Sequence, residues 1–281
     1  MSSPPDLPAC RRHPDRQTRL ACSSCDTPAC VDCLTPVSVG QLCPDCRAAR
    51  GTQRQVEVGG SARAATGRAP VSTTILVTAV VIFVVGLLSP TVRQLSFIYG
   101  AQLNRVVAAG EWWRLVTAGF LHADLAHILF NMWALYILGP QLERSVGSAA
   151  FAGLYVAALL SGGAAFFLLN PEGQAVGASG AIFGLFGAWL VIAFRNRRSA
   201  WGRAGFNQLL VLLGINLALP LFIPRIAWQA HLGGLLAGGL IAALWTTPFM
   251  RGPGRRRQRI LSAVAIAAVA LTSVLLASPM P

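Results

Sequence analysis

The chain contains no lysine, so its formal charge of +13 over 281 residues rests on 23 arginines. Charged residues of all kinds make up only 12%, against about 25% in soluble domains. That deficit excludes an ordinary soluble surface over most of the chain. It is also uneven. Residues 1–70 hold nine Arg and six acids, whereas the following 211 residues hold fourteen Arg and four acids. A polar N-terminal segment is therefore expected ahead of a membrane domain. The arginines sit mostly between apolar runs, which fits positive loops beside membrane spans and argues against a nucleic-acid surface. The start, MSSPPDLPAC, lacks a basic stretch leading into an apolar one, so no secretory signal is expected. No repeat with interrupted helices in both halves is visible, which counts against a transporter.

Cysteine is confined to residues 10–46. Seven Cys and one His there form four pairs with two-residue spacing: Cys10/His13, Cys22/Cys25, Cys30/Cys33 and Cys43/Cys46. Eight soft ligands suffice for two tetrahedral Zn2+ sites with none left over. Disulfides would need an oxidising compartment and would leave one of seven thiols unpaired. All ligand positions are spent, so the metal role is structural and not catalytic, and the segment needs its metal to fold. Residues 8–48 resemble a B-box-like zinc-binding domain. In cross-braced members of that class, pairs one and three share one ion and pairs two and four the other. Binding a protein partner is the expected role. The domain is drawn at 1–48, with a flexible Gly/Ala/Arg linker at 49–70.

Seven apolar runs are long enough to cross a bilayer, near 71–92, 115–138, 148–170, 178–195, 206–224, 227–247 and 260–278. Arg195, Arg197, Arg198 and Arg203 lie between runs four and five, and Arg251, Arg255, Arg256, Arg257 and Arg259 between runs six and seven. The positive-inside rule puts both clusters and the N-terminus inside, and the C-terminus outside. Opposing loops carry only Arg93, Arg105, Arg114 and Arg225. The aromatic, weakly polar stretch 93–114 reads as a segment half-embedded in the outer interface. A multi-pass protein of the inner (plasma) membrane with a cytoplasmic N-terminus is expected.

Run four, AVGASGAIFGLFGAWL, keeps one hydroxyl, Ser179, between Gly177 and Gly180. Three histidines, His122, His127 and His231, lie at or in spans, where ionisable groups are costly and point to function. Ser179 precedes Arg195 by 16 residues, about 24 Å at helical rise, and His231 precedes Arg251 by 20, about 30 Å. Both therefore reach the outer half of the bilayer. Gly180 and Gly184 on one span, and Gly234 and Gly238 on the other, make small faces on which backbones can approach. His231 is the candidate base for the Ser179 hydroxyl. No acid lies in spans four to six, so the pair is a dyad. Ser179 also opens a helix, whose unpaired N–H groups suit an oxyanion. His127 and Asn131, four apart on one face, supply further donors, and Asp124 is a capping or solvated residue.

Together GEWWR, HADLAHILFN, LGPQLERSVG, GASG and AHLGG resemble the rhomboid intramembrane serine proteases, over about residues 71–250. The resemblance implies an all-α polytopic membrane helix bundle: a six-span core at 71–250, then a basic loop and a seventh span at 251–281. It implies a serine endopeptidase acting on transmembrane helices in the lipid bilayer, with Ser179 as nucleophile and His231 as general base. His127, Asn131 and the Ser179 N–H would stabilise the oxyanion, and His122 would help shape the polar cavity. Trp113 and Arg114 would be structural. Phe183 replaces the tyrosine often found four residues after the nucleophile and would stack on His231. The alternative is a catalytically silent relative that binds transmembrane clients.

Overall fold

The computed structural model describes residues 7–36, 41–52, 68–219, 226–247 and 255–278. The chain divides into two units, Met1–Ser61 and Ala62–Pro281.

The first unit is built from two small hairpins. Strand β1 (Ala9–Cys10) pairs antiparallel with β2 (His13–Gln17), and β3 (Thr35–Pro36) with β4 (Gln41–Leu42). Its buried interior consists of Cys10, Cys22, Cys30 and Cys43 with only Ala29, Leu34 and Leu42 beside them. So small an apolar core does not offset chain entropy unaided. Helix α1 (Pro44–Thr52) opens with Pro at its first position and Asp45 in its first turn, both suited to a helix N-terminus. It runs past residue 48, where the linker was expected to start. Most of that linker, 53–67, lies outside the described residues.

The second unit is helical: α2 (Pro70–Leu88), α3 (Pro90–Gly100), α4 (Asn104–Ala108), α5 (Arg114–Thr117), α6 (Leu125–Val146), α7 (Ser148–Leu169), α8 (Ser179–Arg195), α9 (Ala200–Ala218), α10 (Trp228–Trp245) and α11 (Arg255–Ala277). Among the described residues, α2, α6, α7 and α11 are long and apolar enough to cross a membrane, and α8 is a shorter apolar helix. Gln229, His231 and several glycines dilute α10. Each of the seven apolar runs carries one of these helices, but two boundaries move. Run one stops at Leu88, because Ser89 is extended and caps α3, accepting from the Val92 N–H. Run two was expected from 115. Residues 114–120 instead fold as α5 and a 3₁₀ turn (Ala118–Phe120), and α6 starts at Leu125. Asp124, also extended, accepts the His127 N–H at 2.8 Å and sets that start. Leu115, Ala118 and Leu121 are buried inside the protein. Hydropathy does not distinguish such burial from lipid contact. Arg225 and Arg251 lie outside the described residues.

Helix α8 sits centrally, packed by α6, α7, α9 and α10. Its contact with α10 is a backbone contact. A Cβ on Gly234 would lie 1.8 Å from the Gly180 carbonyl oxygen, and one on Gly238 would lie 2.0 Å from that of Gly184. At the other end of α6, Glu143 is 1% exposed. Its carboxylate accepts from the Val71 N–H (3.0 Å), the Ser72 N–H (2.8 Å) and the hydroxyls of Ser72 and Ser148 (2.7 Å each). One buried acid thus caps α2 and joins it to α6 and α7.

The segment between α3 and α6 is pinned inward while its aromatics face out. Arg114 is 4% exposed, donating to the Ala101 carbonyl at 2.8 Å and to Glu111 at 2.6 Å. Tyr99, Trp112 and Trp113 are exposed, as suits an interfacial segment. Strand β5 (Gln102–Leu103) pairs antiparallel with β6 (Gln174–Ala175), just ahead of α8.

Candidate active site and metal centres

Ser179 is the first residue of α8. Its N-cap, Ala178, supplies no side-chain cap, so the first N–H groups of the helix remain for an incoming group, at the positive end of the dipole. Gly177 makes the entry. Its φ is +122°, and its N–H donates to the Ala118 carbonyl at 2.9 Å. A Cβ there would come 2.6 Å from His127 Nε2. Backbone and space both require glycine.

His231 lies in the first turn of α10, and the Gly180–Gly234 contact holds it level with Ser179. The Nε2-to-Oγ distance is 2.9 Å. The Phe183 ring stacks on the imidazole, centroids 4.1 Å apart and planes 9° from parallel. With the hydroxyl donating to Nε2, the other ring proton sits on Nδ1. None of the four acids in this unit reaches the pair. Glu111 bonds Arg114, Asp124 caps α6, Glu143 ties α2, and Glu172 pairs with Arg105.

Asn131 is buried and donates one amide hydrogen to the His127 carbonyl at 2.8 Å, leaving a second. His122 is 3% exposed and meets His127 edge-on at 5.1 Å. Neither of its ring nitrogens has a protein partner among the described residues. It lines a small cavity with Gly86, Arg93, Ser96 and Phe97. The structure thus gathers Ser179, His231 and Phe183 in one contact set, with Gly177, His127, Asn131 and His122 adjoining through His127. Sequence reasoning assigned no role to Gln102, Asn104, Ala118 or Glu143. Glu143 had a usable signal, since it is an acid within an apolar run.

In the first unit, Cys10, His13, Cys30 and Cys33 form one cluster, and Cys22, Cys25, Cys43 and Cys46 the other. Within each, ligand atoms lie no more than 4.8 Å apart. Tetrahedral Zn–S bonds of about 2.3 Å imply ligand separations of about 3.8 Å. The Cys10–Cys33 and Cys25–Cys43 sulfurs are 3.9 and 3.8 Å apart, and His13 Nδ1 is 3.4–3.8 Å from its three sulfurs. The Cys30 N–H draws the Cys10 thiol down to about 6, and the Cys43 N–H, 3.3 Å from the Cys22 sulfur, does the same for Cys22. Burial pushes Cys33 up to about 11, and bonding to Cys25 pushes Cys46 up to about 12. Each ring gathers negative charge that a dication neutralises. The clusters can hold metal ions, and they alternate along the chain.

A membrane bundle carrying a helix-opening serine bonded to a histidine from a neighbouring helix defines the class. The Rhomboid domain profile matches residues 109–247. Rhomboid protease GluP of Bacillus subtilis is 40% identical over 173 residues, 62% of this chain and 33% of that protein. RHOMBOID-like protein 9, chloroplastic, of Arabidopsis thaliana is 35% identical over 175 residues, 60% of this chain and 40% of that protein. YdcA, a rhomboid relative from Bacillus subtilis, is 38% identical over 143 residues, 50% of this chain and 71% of that protein. The chain belongs to the rhomboid family and is a multi-pass membrane protein. It spans only a third to two fifths of the first two relatives.

Proposed function

We propose that the protein is an intramembrane serine endopeptidase that cleaves transmembrane helices near their outer ends. The single observation carrying this reading is the 2.9 Å contact between His231 Nε2 and Ser179 Oγ. A neutral imidazole at that distance takes the hydroxyl proton as Oγ attacks the scissile carbonyl carbon. The carbonyl π pair moves onto oxygen. The Ser179 N–H, His127 Nε2–H and the second Asn131 amide hydrogen donate to that oxyanion. Collapse breaks the C–N bond, and the His231 imidazolium protonates the leaving amine. Water, deprotonated by His231, then attacks the ester, and Ser179 recovers its proton. The protease name of the relative GluP supports the same class.

The two cysteine–histidine clusters are read as structural zinc sites with B-box-like cross-bracing. No catalytic step passes through them, and the unit they brace serves to bind a protein partner. The membrane is read as the plasma membrane, with the N-terminus inside and the C-terminus outside, as the arginine-rich loops require.

The test is cleavage of a model transmembrane substrate in liposomes. Ser179→Ala removes the attacking atom and should reduce cleavage to background while the thermal unfolding midpoint stays unchanged. Persistent cleavage by a folded Ser179→Ala variant eliminates Ser179 as nucleophile.

A further inference from the structure

Helix α11 lies outside the set that supplies the dyad, yet its C-terminal half reaches the segment that holds the serine loop. Val274 is fully buried and Ala270 is 7% exposed. Both belong to one apolar cluster with Val107 of α4, Leu115 of α5, and Ala164 and Phe167 of α7. Val107 and Leu115 are themselves 0% and 1% exposed. From there two routes of hydrogen bonds lead to the residues before Ser179.

In the first, α4 follows directly on β5, which pairs with β6: Gln102 opposes Ala175 and Leu103 opposes Gln174. The Asn104 N–H donates to the Gly173 carbonyl at 3.0 Å, and its side-chain amide donates to the Asn170 carbonyl at 2.7 Å. Gln102 ties the same strand to α7, donating to the Gly163 carbonyl at 2.9 Å. In the second, α5 runs into the 3₁₀ turn, whose Ala118 carbonyl accepts the Gly177 N–H. Residues 170–177 therefore make few contacts of their own choosing. They are hung on the α3–α6 segment, and that segment rests on α11.

We propose that the outer half of α11 buttresses the catalytic loop, with Val274 and Ala270 as positioning residues for Ser179. The seventh span then does more than lengthen the bundle. It fixes the height of the α8 N-terminus and the path of Gly177, on which oxyanion geometry depends. A misplacement of a fraction of an ångström at this point lowers turnover without altering substrate binding elsewhere. The far end of the same helix serves as an internal control. Ala263 is fully buried against Gly153, about 16 Å along the axis from Val274 at helical rise, and touches nothing that leads to Ser179.

This inference deepens the protease reading and rests on it, so one of its two readouts is independent of activity. Full-length protein in lipid is compared as wild type, Val274→Ala, Ala270→Gly and Ala263→Gly. Amide hydrogen exchange at Gly177 should accelerate about tenfold in the Val274→Ala and Ala270→Gly variants and stay at the wild-type rate in Ala263→Gly. In the cleavage assay, kcat should fall five- to tenfold with KM unchanged in the first two variants, and Val274→Ile should restore it. Ala263→Gly lowers the unfolding midpoint but keeps kcat below it. Unaltered exchange at Gly177 in both outer variants, or an equal rise in Ala263→Gly, overturns the inference whether or not the protein proves to cleave. Absence of cleavage by wild type, with the exchange pattern as expected, sinks the protease reading alone.

Discussion

Gly234→Ala is the most informative small perturbation of this fold. The added Cβ would stand 1.8 Å from the Gly180 carbonyl oxygen, where ordinary contact begins near 3.4 Å. The obstruction is backbone, so no side chain can swing away. Helices α8 and α10 must separate or rotate by about 1.6 Å at the level of the dyad. If that displacement lies along the Ser179–His231 vector, the 2.9 Å contact stretches to about 4.5 Å, beyond hydrogen-bond range. Positioned general-base catalysis contributes about 10²–10⁴-fold, so cleavage should fall by at least a hundredfold. Overpacking should also cost about 1–3 kcal/mol of stability. The opposite sign is what helix propensity alone dictates, because Ala is favoured over Gly by about 1 kcal/mol in a helix interior. Thermal unfolding and cleavage in the same lipid preparation decide between them. A Gly234→Ala protein that is more stable than wild type and cleaves normally would refute the close backbone approach and the placement of His231 that follows from it.

Phe183→Tyr keeps the ring stacked on His231 and adds one hydroxyl, so cleavage should stay within about tenfold of wild type; a hundredfold loss would mean that stacking is not what the ring contributes. Glu143→Gln removes the charge that four donors share, and loss of charge-assisted bonds should cost about 1.5–3 kcal/mol; an unchanged unfolding midpoint would contradict the network. Metal analysis of purified protein should find about two zinc per chain, with Cys22→Ser retaining about one, because the clusters share no ligand. A value near zero under reducing conditions would contradict the zinc reading.

The helical architecture and the residues of the candidate site were legible for different reasons. Apolar runs of about 20 residues report helices directly, and Ser179, His127 and His231 stand out because polar groups are costly in such runs. The cysteine spacing likewise names the ligand atoms, though their grouping into alternate pairs needed the fold. Residues 115–121 were misread as the start of a span, because burial against protein and burial in lipid demand the same side chains. The β5–β6 pairing and the Ala118–Gly177 bond left no trace, since main-chain bonds carry no residue preference strong enough to read. Glu143 was visible and passed over: a lone acid near the end of an apolar run reads as a loop charge until its four donors are seen.

The central claim is that His231 activates Ser179, and covalent labelling tests it most directly. A serine-directed fluorophosphonate should add one adduct to the wild type, mapping to Ser179 by mass spectrometry, and none to a folded His231→Ala variant. Labelling of that variant at the wild-type rate, or an adduct on a different residue, would contradict the account.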